Sequence, residues 1–95
     1  MTRTSRVRRA EGLRWRLDGP ERRHAAILFP ATGGIHLLNP VATTILSACD
    51  GTHSLGQIVG LLAEEFEAPL ELLSQDVVRT VEMFLRGGVC TEDDD

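Results

Sequence analysis

A chain of 95 residues buries about 60–68% of its unfolded surface, enough for one core and too little for two, so a two-domain enzyme is excluded. With 42% hydrophobic and 25% charged residues, and no apolar run near the roughly 20 residues that span a bilayer, the sequence does not read as a membrane protein. The net charge of −4 conceals a division: residues 1–24 carry eight arginines against three acids, whereas the remainder sets Arg79 and Arg86 against eleven acids. Such a body repels nucleic-acid phosphates, and only the arginine-bearing N-terminal segment could attract them.

Residues 1–12 lack apolar periodicity and are predicted to form a flexible arm; residues 91–95 read as a solvated acidic tail. Between them, residues 13–90 read as a single domain. Leu13-Arg14-Trp15-Arg16-Leu17 alternates with period two, which predicts a half-buried strand with Leu13, Trp15 and Leu17 facing in and Trp15 as a core anchor. Asp18-Gly19-Pro20 then makes a turn. A second strand is predicted over Ala25–Phe29, closed by Pro30, and Gly33-Gly34 opens a third over Ile35–Leu38.

The period changes after Asn39, which can cap a helix with Pro40 at its first position. That helix is predicted to run to about Cys49, burying Val41, Ala42, Ile45, Leu46 and Cys49, with Asp50-Gly51 as its stop. Ser54 and Gln57 have capping-box spacing and open a second helix whose stripe is Leu55, Ile58, Val59, Leu62 and Phe66. Gly56 and Gly60 each cost that helix roughly 1 kcal/mol relative to alanine, which predicts compensation by close packing. A third helix runs from near Pro69 to Gly87-Gly88, with Leu70, Leu73, Val77, Val81, Phe84 and Leu85 inward. Leu72 and Met83 fall on roughly the opposite side, beside Asp76, Arg79 and Arg86. Val89-Cys90 closes the domain as a short strand or coil.

Recognisable catalytic spacing is missing: there is no GxSxG, no glycine-rich phosphate loop and no HExxH. Cys49 and His53 are four apart but straddle the Asp50-Gly51 stop, with no further pair to complete a zinc site, so Cys49 reads as core and His53 as loop. His24 and His36 lie on or beside strands and read as half-exposed histidines, with a binding-edge role for His36 as the second reading. Cys90 has no basic neighbour in sequence to activate it. Neither cofactor nor metal is expected.

Strands followed by three helices outline an α+β, winged helix-turn-helix-like domain: a three-stranded antiparallel sheet, then three helices. More specific is Leu38-Asn39-Pro40-Val41-Ala42-Thr43-Thr44-Ile45-Leu46 leading into Cys49-Asp50-Gly51-Thr52, followed by Ile58-Val59, Asp76-Val77 and Phe84-Leu85 before Gly87-Gly88. In order and spacing, over residues 25–90, this resembles the PqqD family of peptide chaperones in pyrroloquinoline quinone (PQQ) biosynthesis, whose members recognise leaders of ribosomally made, post-translationally modified peptides (RiPPs). The end Gly88-Val89-Cys90 is a weaker version of the family pattern. The resemblance implies a non-catalytic adaptor that presents a precursor (leader) peptide to a radical S-adenosylmethionine (SAM) maturation enzyme. It also implies a leader added as a strand along Ile35, His36, Leu37, Leu38 and Asn39, against an outer helix face carrying Leu72, Asp76, Arg79, Thr80, Met83 and Arg86.

The residues support that geometry on their own terms, since strand addition needs an unpaired edge and side-chain pockets. Ile35 and Leu37 alternate with His36 and Leu38, so one pair can serve the core and the other a groove; Leu72 and Met83 offer a pliable apolar floor and Arg79 and Arg86 a partner for an acid. The plain alternative is that Leu72 and Met83 are isolated surface residues and that Asp76 merely pairs with Arg79. Rival functions are a winged-helix DNA reader, opposed by the acids of the helices, and a homodimer paired through the strand edge. Direct quinone handling finds no recognisable pocket among one tryptophan, three phenylalanines and no tyrosine. No signal peptide is recognised, so the expected location is cytoplasmic, with no nucleic-acid or membrane partner.

Overall fold

The computed structural model describes residues 2–93. Its helices begin and end where side-chain chemistry directs. Asn39 Oδ1 accepts the Ala42 N–H at 2.8 Å and Pro40 takes the first position of α1 (Pro40–Ala48). Helix α2 (Leu55–Glu65) opens on a reciprocal capping box, with Gln57 N–H donating to Ser54 Oγ at 3.2 Å and Ser54 N–H to Gln57 Oε1 at 2.8 Å. Helix α3 (Leu70–Arg86) stops in a Schellman turn: Val89 N–H reaches Phe84 O at 2.9 Å, Gly88 N–H reaches Leu85 O at 3.4 Å, and Gly88 sits at φ +75°. Val89 and Phe84, which such a turn brings together, are both fully buried.

Among the described residues, six strands join these helices in an α+β fold with two antiparallel three-stranded sheets. One sheet has the order β2 (Trp15–Asp18), β3 (His24–Leu28), β4 (Ile35–Leu37). Its central strand turns Ala25 and Ile27 into a core that also takes Ile45 and Leu46 of α1, Ile58 and Leu62 of α2, and Val77, Val81 and Phe84 of α3. The buried Thr43 hydroxyl accepts the Ala25 N–H at 2.8 Å, tying α1 to β3. No described helix is long and apolar enough to cross a membrane.

The second sheet, ordered β5 (Asp50–Ser54), β1 (Arg6–Arg9), β6 (Cys90–Asp93), departs from the sequence expectations. Residues 6–9, expected within a flexible arm, are its central strand, with Val7 fully buried. Residues 3–5 are docked as well, because the Arg3 and Ser5 carbonyls accept the Gly56 and Leu55 N–H groups at the start of α2, both at 3.0 Å. The expected solvated tail pairs through Asp93, and residues 94–95 of that expectation, like Met1 of the arm, lie outside the described residues. Asp50-Gly51, expected as a stop, does end α1 and then begins a strand, with Gly51 at φ +83°. In register, basic β1 stands opposite Asp93 at Arg6 and opposite Asp50 at Arg8, although neither pair forms a direct ion pair and the Asp50 carboxylate is engaged by Thr52 and His53.

Smaller differences follow from position. Leu17 is 45% exposed on the edge strand β2, and Leu70 is 62% exposed at the first position of α3. Trp15 is half-buried, with the Arg9 guanidinium 5.2 Å from its ring centre. Gly56 meets the Arg3 backbone as expected of a close contact, whereas nothing lies near Gly60, so no packing compensates there.

Candidate functional site

Strand β4 is an edge. Its register places Leu37 opposite Ala26, His36 opposite Ile27 and Ile35 opposite Leu28. Leu38 N–H donates to Ala25 O and Phe29 N–H to Gly34 O, both at 2.8 Å. Antiparallel alternation therefore turns the backbone groups of Gly34, His36 and Leu38 toward β3 and leaves those of Ile35 and Leu37 facing the open side. The strand has no lysine, arginine, acid or proline to guard that edge.

Close to it, a cavity of about 810 Å³ lies between α3 and the β3–β4 turn. Ser74, Val78, Arg79, Glu82, Met83 and Arg86 line it from the helix, and Phe29 and Thr32 from the turn. Two features hold the turn in place: Ala31 N–H donates to Gly87 O at 3.0 Å, and a Cβ on Gly87 would stand 2.5 Å from the Phe29 ring. Gly87 is thus required for close approach, while Gly88 supplies the left-handed turn that ends the helix. His36 extends the apolar wall to β4, its ring centre 4.2 Å from that of Phe29. Arg86 pairs with Glu82 at 3.4 Å, while Arg79 makes no ion pair among the described residues.

Of the residues singled out from sequence, Arg79, Met83 and Arg86 line this cavity, and Ile35, His36 and Leu37 form the strand edge beside it. The other five stand apart from the lining. Leu38 is 6% exposed and belongs to the core, and Asn39 is occupied as the α1 cap. Leu72, though 53% exposed, together with Asp76 and Thr80 on the same helix, does not line it. Sequence reasoning missed Phe29, Thr32 and Val78. Phe29 follows a strand whose alternate residues are core, and only the helix-ending Gly87 hinted at a ring packed against it.

The remaining candidates find ordinary roles. Cys49 and Cys90 are free and buried; a hydrogen bond with the Cys49 thiol, then burial, push the Cys90 thiol upward, so it is a poor nucleophile at neutral pH. His53 Nδ1 lies 3.1 Å from Asp50 Oδ1 rather than toward Cys49, and the described residues contain no cluster fit to hold a metal ion. Thr52, through its hydroxyl at 2.6 Å and its N–H at 2.9 Å, holds the Asp50 carboxyl well below the usual range, with His53 adding to the effect.

Fold and groove together define an α+β chain that leaves the β4 edge open beside a helix face on which Val78 and Met83 stand among charged and polar side chains. Residues 24–89 match the family described as coenzyme PQQ synthesis protein D (PqqD), and the chain belongs to that family. The match begins at β3 and ends at Val89, leaving β1, β2 and β6 outside it. Among solved structures the heterocyclase TruD is similar, with a TM-score of 0.59 and 22% identity, over 94% of this chain and 12% of that one. At that identity the likeness concerns the fold, and this chain spans a small part of TruD. No match was found among curated proteins.

Proposed function

We propose that the protein is a non-catalytic chaperone that holds the leader of a ribosomally made precursor peptide and presents it to a maturation enzyme, a radical SAM enzyme of PQQ synthesis or of a related RiPP pathway. Membership of the PqqD family supports the class. The observation that carries the site is the unguarded β4 edge beside the α3 cavity, whose volume falls in the range of roughly 300–1,000 Å³ usual for ligand sites. A leader strand hydrogen-bonds to Ile35 and Leu37, places side chains against Phe29, Val78 and Met83, and offers an acid to the unpaired Arg79. The TruD likeness is consistent with this fold being carried inside a larger chain, and extends the candidate partners to maturation enzymes of other chemistry.

Against the rival reading as a winged-helix DNA reader, Glu71, Asp76 and Glu82 lie on α3, where a DNA-reading helix should be basic. The test is fluorescence anisotropy with the labelled leader of a precursor encoded beside the protein. Micromolar binding is expected, with no change in the peptide itself. Leu37→Asp and Met83→Asp are expected to weaken binding at least tenfold while leaving cooperative unfolding intact. Absence of binding, or unchanged affinity in both variants, contradicts the proposal.

A further inference from the structure

Ile35 and Leu37 are 78% and 66% exposed, the two most exposed of the large hydrophobic residues described, and the cavity beside α3 does not account for them. Their side chains lie on the other face of the sheet. Ala25 and Ile27 point into the core, so His36, opposite Ile27, shares the helix-facing side, and Ile35 and Leu37 share the outer side with Leu28 and Ala26. Arg14 and Arg16 of the β2 side join Ala26, Leu28 and Ile35 around a shallow depression of about 500 Å³ there.

A strand added to β4 must place its residues on both faces in turn. Those directly opposite Ile35 and Leu37 stand about 4.5–5.5 Å away, Cβ to Cβ, on the outer side, and the residue between them points toward Phe29 and the α3 cavity. Resting on the leader-binding reading, we propose that the site reads three consecutive apolar residues of the bound peptide: the first and third cover Ile35 and Leu37, and the middle one enters the cavity. The occupant is a peptide rather than a second copy of the chain because three residues of edge bury far less than the roughly 1,200–2,000 Å² of a stable protein interface. A short strand that also fills the cavity gains contacts on both sides of the sheet.

The experiment selects a displayed library of random twelve-residue peptides on the wild-type protein and on the Ile35→Thr/Leu37→Thr variant, and measures the dominant peptides by anisotropy against wild type, that variant and Met83→Asp. Threonine keeps the strand tendency while removing apolar surface, and matching thermal melts confirm the fold. The expected wild-type pool carries an apolar triplet, the variant pool keeps only the middle apolar residue, and the triplet peptide binds the variant about tenfold more weakly. A wild-type pool with apolar residues only at alternate positions, still lost with Met83→Asp, overturns the triplet and leaves the leader site standing. Peptides indifferent to every variant, or no enrichment, overturn both. A concentration-dependent dimer broken by Ile35→Thr/Leu37→Thr gives the edge to a second copy and overturns the proposal.

Discussion

The two sheets are the same size and differ in what they leave unfinished. In the β5–β1–β6 sheet a basic central strand lies between partners carrying Asp50 and Asp93, and Val7 is fully buried. In the β2–β3–β4 sheet the central strand is tied to α1, but β4 ends in open backbone groups and exposed isoleucine and leucine. One sheet ties residues 6–9 to residues 50–54 and 90–93; the other leaves large apolar side chains exposed on its β4 edge. Burial of Val7 marks the first sheet as structural, and under the proposed leader-binding reading the unguarded apolar exposure at β4 makes the second the working surface.

The contrast can be broken most severely at Val7. Val7→Asp buries an unpaired carboxylate in a central strand and is expected to cost about 3 kcal/mol or more in urea denaturation. Met83→Asp, on a residue 41% exposed, is expected to leave stability within about 1 kcal/mol while binding falls at least tenfold, which separates folding from recognition. Arg9→Ala removes donors to Leu46 O at 2.9 Å and Ser47 O at 3.0 Å at the C-terminus of α1, together with the cation over Trp15. A loss of about 1–2 kcal/mol is expected by denaturation, with leader affinity unchanged.

Two smaller effects sharpen the picture. Gly60→Ala meets open space on α2 and is expected to raise stability by about 0.5–1 kcal/mol, read as a higher urea midpoint. Asp50→Asn tests the start of β5. Because the native carboxyl is held low by Thr52 and His53, its stabilising contribution is complete above the ordinary carboxylate range and is lost as pH falls through the depressed native pKa. The stability gap between wild type and Asp50→Asn is therefore expected to be widest near neutrality and to shrink in acid. A gap constant with pH contradicts that reading.

Sequence legibility follows the same division. The caps at Asn39, Ser54/Gln57 and Gly87-Gly88, and strands β2 to β4, could be read because their signals are local: a hydroxyl three residues from its donor, a period of two, a glycine after an apolar stripe. The β5–β1–β6 sheet could not. Its central strand has one apolar residue among arginines, β5 is written in turn residues, and β1 finds β6 at the far end of the chain. The basic start and acidic end were visible as charge, but neither carries a local strand signal that would have paired them. In the site, Met83, Arg79 and Arg86 followed from helical spacing, whereas Phe29 and Thr32 are placed by the Ala31–Gly87 contact between distant segments.

The most direct test of the account is a nitrogen-labelled NMR titration of the protein with the leader of a precursor encoded beside it. The account predicts shifts concentrated at residues 29–37 and 74–87, with residues 6–9, 50–54 and 90–93 quiet. Shifts confined to the β5–β1–β6 sheet, or none at all with the folded spectrum retained, would contradict it.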